Sequence, residues 1–217
     1  MKIDTSTVNV LKNFAKINPS IMIQEGNTLK TISPSKTIMA KAKVSTEFSK
    51  KFAIYDVNRF ISLLSVFNDP ELSFGEGSVN ISDSNKTQRY KYADENAITK
   101  VPEKEITLPS VDVTFTLKDS DLKEVEKVCG ILGLPEIHVS GDGSKVTINS
   151  ADSKNPNGDL FSIEVGETTK TFNAIFKTEN IKIIQGDYEV SICSRGISHF
   201  GGKDAEYWIA VESNSTF

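Results

Sequence analysis

Few groups in this chain have chemistry to offer. His138 and His199 are the only histidines and Cys129 and Cys193 the only cysteines, and no two of them stand at a metal-ligand spacing. Two cysteines build no disulfide framework, so reduced, buried thiols are expected. There is no Gly-x-Ser-x-Gly elbow, no His-Glu-x-x-His helix and no Gly-x-x-x-x-Gly-Lys-Ser/Thr loop. Gly75-Glu76-Gly77 and Gly141-Asp142-Gly143 each join strand to strand, so they read as hairpin turns rather than phosphate cradles. Asp152 and Asp159 flank Asn155-Pro156-Asn157-Gly158. They are the best pair for a carboxylate or calcium site, but the run between them reads first as a solvated hairpin tip. The residues thus predict no catalytic group, no metal site and no cofactor, and leave charge and apolar contact as the available chemistry.

The charge is unevenly placed. A net charge of -4 argues against a basic nucleic-acid-binding domain in bulk, but local placement decides the matter. Val8, Leu11, Phe14 and Ala15 predict the apolar stripe of a helix from Thr5 to Ile17. Its other side carries Thr5, Asn9, Lys12, Asn13 and Lys16, with no acid. A second helix, near 57–67, presents Arg59. A third, near 120–132, sets Leu122, Val125, Cys129 and Leu132 inward, with Lys123 and Lys127 opposite and Asp121, Glu124 and Glu126 on its flanks. A fourth, near 178–184, carries Lys177 and Lys182 around Glu179. A lysine on one helix face ordinarily does no more than solvate it. Four such helices on an acidic chain point to phosphate contact without base readout.

These helices recur in an order that repeats. Phe52-Ala53-Ile54-Tyr55 leads into Asp56 to Leu64, and Phe172-Asn173-Ala174-Ile175-Phe176 leads into Lys177 to Ile184. Ile54 and Ile175, Tyr55 and Phe176, Phe60 and Ile181, and Leu63 and Ile184 match at one constant offset. A strand-then-helix unit used twice predicts two similar domains, which suits 217 residues. In the first half, strands are expected at 21–23, 28–32, 37–44, 51–55, 71–74, 78–82 and 87–93, with 21–23 and 28–32 forming a hairpin around Gly26. In the second half they fall at 111–117, 137–139, 146–148, 160–165, 171–176, 188–193, 197–200 and 207–212. After the strand at 111–117 that opens the second half, each half reads helix, four strands, helix, three strands, an α+β arrangement. The domains are expected at 1–94 and 111–217. Between them lies an extended connector, 95–110, whose Pro102 and Pro109 disfavour a helix. No apolar run approaches the roughly 18 residues that span a bilayer, and the first residues lack a signal-peptide core, so an intracellular home and no membrane association are expected.

On these blocks the chain resembles the DNA polymerase sliding clamps of tailed bacteriophages. The stretches that carry the resemblance are Leu11 to Asn18 with Ile21-Met22, Ala53 to Phe60 with Leu63 to Val66 and Asn68-Asp69, and Tyr207 to Ser215. The resemblance implies two like domains per subunit and a homotrimer closed head to tail into a ring. Sheets would form the outer wall and helices would line a central hole through which duplex DNA passes. It implies a non-enzymatic processivity factor that binds DNA without sequence preference and tethers the replicative polymerase. Lys12, Lys16, Arg59, Lys123, Lys127, Lys177 and Lys182 would face the DNA. A partner peptide would dock on Val101, Pro102, Ile106 and Leu108 of the connector, with Trp208 and Ile209 from the last strand; for Trp208, core packing is an equal expectation. An ATP-dependent clamp loader is implied as a further partner, because the chain has no nucleotide loop, and transcription factors are compatible with the family. The setting would be the host cytoplasm if the protein is viral. The rival readings are a non-ring polymerase accessory protein of the same fold, and an enzyme using an unrecognised carboxylate site.

Overall fold

The computed structural model describes residues 1–217, which divide into two compact units, Met1–Lys104 and Glu105–Phe217. The first runs α1 (Thr5–Ile17), β1 (Ile21–Ile23), β2 (Gly26–Ile32), β3 (Ile38–Phe48), β4 (Phe52–Ile54), α2 (Val57–Leu64), β5 (Glu71–Phe74), β6 (Ser78–Ser82) and β7 (Thr87–Lys91). The second runs β8 (Val113–Leu117), α3 (Asp119–Leu132), β9 (Glu136–Asp142), β10 (Lys145–Ala151), β11 (Phe161–Glu167), β12 (Thr171–Lys177), β13 (Tyr188–Cys193), β14 (Ile197–Gly202) and β15 (Glu206–Ala210). The segment between β7 and β8 has one 3-10 turn, Glu95–Ala97, and is otherwise irregular.

In the first unit, α1 is started by Asp4, whose carboxylate accepts from the Thr7 amide and from the hydroxyls of Ser6, Thr7 and Thr46. This N-cap ties the helix to β3 as it begins. Leu11 and Phe14 are fully buried beneath it, each contributing on the order of 1.5–3 kcal/mol of apolar burial. β3 alternates buried and outward residues along most of its length, packing one face against α1. Phe52 on β4 meets the rings of Phe48, Phe74 and Tyr92, and Phe60 on α2 meets Tyr90 edge-on at 5.1 Å.

Strand pairing departs from the expected hairpin around Gly26. β1 pairs with β4 (Ile21↔Ile54, Ile23↔Phe52), and β2 pairs with β3. With three residues, β1 has little ladder to offer, whereas the eleven of β3 match the whole of β2. β5, β6 and β7 form a separate antiparallel sheet ending at β7.

In the second unit, β11-β10-β9-β12 form one antiparallel sheet, and β8 pairs with β13, which continues through β14 to β15. The β9–β10 turn is held by the Asp142 carboxylate, which accepts from the amides of Ser144 and Lys145 at 2.8 and 2.7 Å. Gly141 is required there because a Cβ would come within 2.4 Å of the Phe172 ring. α3 stops at Gly133 in the left-handed region, φ 67°. Residues 212–217 return along β12, where Thr216 exchanges backbone hydrogen bonds with Asn173 and the Phe217 ring stacks on Phe172.

The fourth helix expected at 178–184 does not form; only a 3-10 turn, Thr178–Asn180, is present. Two facts account for this. Ile181, Ile183 and Ile184 crowd a helix with β-branched side chains. The Tyr207 hydroxyl also accepts from the Ile184 amide while the Tyr188 hydroxyl donates to its carbonyl, which occupies the groups a helix would use.

Candidate nucleic-acid interface

α1 exposes a stripe of Thr5, Asn9, Lys12 and Lys16 along its length, while Thr7, Val10, Leu11, Phe14 and Ala15 turn inward. Asn13, expected on the outer side, is buried, and Val10 takes a core position the spacing did not claim. The helix contains no acid. Its cap, Asp4, is partly desolvated, which raises its pKa, but its hydroxyl and amide donors outweigh that effect and hold the carboxyl far below the usual range. Negative charge is thus tied down at the base of the helix, and Lys16 stands in the last turn, where the helix dipole favours a cation.

α2 packs against α1, so the two share one helical layer. The Asp56 carboxylate caps α2 through the Arg59 amide at 2.9 Å, leaving the Arg59 side chain exposed beside Asn58 and Ser62. Lys12, Lys16 and Arg59 form no ion pair with a carboxylate. Together they make a small basic surface above a polar, acid-free stripe.

α3 is less purely basic. Leu122, Val125 and Cys129 form its buried side. Lys123 is drawn to Asp119 one turn earlier, and Glu124 is exposed beside it, leaving Lys127 as the clearer outward cation. Leu132, expected in the core stripe, is exposed, as is Ile131 at 69%. Lys177 and Lys182 do not sit on a helix. Lys177 ends β12 with Glu212 at 3.7 Å, and Lys182 lies half-buried in the irregular stretch that replaces the fourth helix, engaged within the chain.

Along the connector, Val101, Ile106 and Leu108 are half-buried and Pro102 is exposed. Trp208 and Ile209 are buried in β15, and the Trp208 ring lies 5.0 Å from His199 across the ladder to β14. Packing accounts for both side chains.

The carboxylates with shifted titration serve structure. The Ser194 amide and the Ser110 hydroxyl hold Asp112 below the usual range. Asp112 lines an open cleft of about 660 Å³ with Thr114, Ser144, Glu167 and Lys170. Asp152 accepts the Lys154 amide inside its turn.

The sequence reading missed the character of two sheet ends. β7 pairs only with β6, is exposed along most of its length, and carries Arg89 and Lys91 with no acid. β11 pairs only with β10 and carries Glu164 and Glu167 with no base. Each is flanked by exposed apolar residues. Val66 (58%) has its carbonyl held by Lys86 just before β7, and Leu160 (67%) precedes β11, against which α3 packs. The runs Lys86 to Lys91 and Asp159 to Glu167 each carry a single sign of charge, and that was the available signal.

Two family descriptions match the chain: DNA polymerase processivity factor over residues 2–100, and gp45 sliding clamp, C terminal, over residues 113–213. The chain is 35% identical to the sliding clamp of Vibrio phage KVP40 over 220 residues, covering 98% of this chain and all of that one. It is 30% identical to the sliding clamp of Enterobacteria phage T4 over 226 residues, covering all of this chain and 99% of that one. Among solved structures it is similar to PCNA from Thermococcus kodakaraensis, with TM-score 0.69, 17% identity and coverage of 97% and 98% of the two chains. It is also similar to A. fulgidus PCNA, solved with the C-terminal region of FEN-1, with TM-score 0.69, 12% identity and 94% coverage of each. At these identities the structural likeness speaks for the fold.

Proposed function

The chain belongs to the DNA sliding clamps, non-enzymatic processivity factors that encircle duplex DNA and tether a DNA polymerase to it, and on that premise we propose that three copies close head to tail, with α1 and α2 facing the duplex. The observation that carries this reading is the acid-free exposed stripe of α1, with Arg59 beside it, on a chain that is acidic overall. A few unpaired cations attract phosphates without selecting bases, and the weak, salt-sensitive contact leaves the protein free to slide. Topology rather than contact energy then keeps it on DNA.

Closure draws on the two sheet ends. An unpaired edge invites another strand, and a heterologous contact between two different edges closes when its rotation is right. β7 of one copy, basic, fits β11 of the next, acidic, with Val66 and Leu160 as flanking apolar contacts. Lys123 and Lys127 of α3 contribute more weakly to the DNA face, and Lys177 and Lys182 least. The half-buried Val101, Ile106 and Leu108 of the connector, with exposed Pro102, offer a polymerase peptide its docking site. Opening the ring falls to a separate ATP-dependent loader in the infected cell, and transcription factors are further users of the same docking site.

The test is retention on nicked circular DNA after loading with loader and ATP. The protein should remain on the circle through gel filtration and leave when the DNA is linearised. Retention on linear DNA without blocked ends contradicts topological linkage, and a monomer by light scattering at micromolar concentration favours the non-ring accessory reading.

A further inference from the structure

The first unit carries a second basic surface, on the opposite side of its sheet from the helices. In the β2–β3 ladder, Lys30 stands directly opposite Lys41, and Lys43, opposite Thr28, is the next outward residue along β3. The residues between them, Leu29, Thr31, Ala40, Ala42 and Val44, are buried on the side where α1 packs. The three side chains therefore point away from α1 and from Lys12 and Lys16, with Lys43 exposed and Lys30 and Lys41 half-buried on a face where Ile32 and Met39 are buried. Like charges directly opposite on a ladder destabilise it. The fold does not require them, because the strands that follow in the same order in the second unit, β10 and β11, set Lys145 opposite Glu167 and within 2.5 Å of Glu164.

We propose that the outward face of β2 and β3 is a docking surface for an acidic segment of a partner protein, whose carboxylates are received by the exposed Lys43 and the half-buried Lys30. Its charge calls for an anionic partner. A duplex held against α1 cannot reach it, since the sheet stands between. A single strand of nucleic acid is disfavoured because Thr28, Lys30, Lys41 and Lys43 include no aromatic ring on which bases stack. Diagonal ladder positions such as those of Lys30 and Lys43 lie roughly 7–8 Å apart, a spacing that alternate acidic side chains of one extended segment match. Lys30 and Lys43 form no ion pair, whereas Lys41 is also engaged within the chain, so the first two are the residues to change.

The experiment compares the parent with the K30E/K43E variant in fluorescence anisotropy. The probes are a short labelled Glu/Asp-rich peptide, its Gln/Asn-rich counterpart and a single-stranded oligonucleotide. The parent should bind the acidic peptide alone, more weakly as salt rises, and the variant should bind it about tenfold or more weakly, with retention on circular DNA unchanged. K30Q/K43Q gives the same comparison should the reversed charges impair folding. Equal peptide binding by parent and variant overturns the proposal, as does preference for the oligonucleotide. Self-association of the variant with peptide binding intact also overturns it, for the lysines then only guard the strands.

Discussion

At the residue scale, the basic side chains fall into an order that their spacing alone did not give. Lys12 and Lys16 stand exposed on an acid-free helix, Lys123 is tied to Asp119, and Lys177 faces Glu212. Lys12→Glu and Lys16→Glu are therefore expected to weaken binding to duplex DNA and each to reduce the salt slope by about 1. Lys123→Glu should do less, because its charge is already partly spent on its neighbour. Salt titration of duplex binding checks the ranking, and an equal effect of all three would contradict it. Asp4 gives a second prediction. Asp4→Ala removes the cap of α1 and should cost about 1 kcal/mol in denaturant unfolding. Because its folded pKa is depressed, the contribution is present above the ordinary carboxyl pKa and is lost as pH falls toward the folded one. The parent and Asp4→Ala should thus converge in stability in acid. The candidate site was legible where one helix decided exposure, as with Lys12, Lys16 and Arg59. It was not legible for Lys177, which the end of β12 sets beside Glu212, or for Lys182, whose stretch is fixed at Ile184 by Tyr188 and by Tyr207, 23 residues away.

At the element scale, local signals carried far. The apolar spacing placed α1 at Thr5–Ile17, and β5, β6 and β13 lie at the expected 71–74, 78–82 and 188–193, with the Gly75-Glu76-Gly77 turn between the first two. What local signals left undetermined was pairing. Nothing within Ile21 to Ile32 says that β1 will pair with β4, since that choice depends on a partner about thirty residues away. The fourth helix failed in part for the same reason, since Tyr207 lies 23 residues from Ile184, although Tyr188 lies only four away. Its match to Asp56–Leu64 was real as a pattern, but the Tyr188 and Tyr207 hydroxyls hold the Ile184 backbone. Burial raises the pKa of both phenols well beyond the ordinary tyrosine value, so both remain protonated and able to donate. Tyr207→Phe deletes the acceptor for the Ile184 amide and is expected to destabilise the protein by about 1–3 kcal/mol. A fall in the denaturation midpoint with an unchanged slope checks this; no change would mean that water replaces the hydroxyl.

At the scale of the whole molecule, duplication explains why a chain without an active site carries two sheets with unlike ends. A ring needs every subunit to present one surface and receive its complement, and in the closure proposed above a basic β7 and an acidic β11 supply both from a single sequence. Reversing one end should therefore break the assembly, and reversing both should restore it between different copies. Arg89→Glu with Lys91→Glu is expected to shift the protein from trimer toward monomer at micromolar concentration, since like charges across an interface cost several kcal/mol. Glu167→Lys alone should do the same more weakly, leaving Glu164 paired with Lys145. Mixing the two variants should recover part of the assembled mass by light scattering, because each then supplies one changed edge that suits the other. Rings made by the mixture still hold mismatched junctions between like variants, so recovery should favour short assemblies over closed trimers. Joining both sets of changes in one chain removes that mismatch and should restore the closed trimer and its retention on circular DNA. If the double-edge chain stays monomeric, charge does not select these edges, and apolar contact through Val66 and Leu160 must govern closure instead.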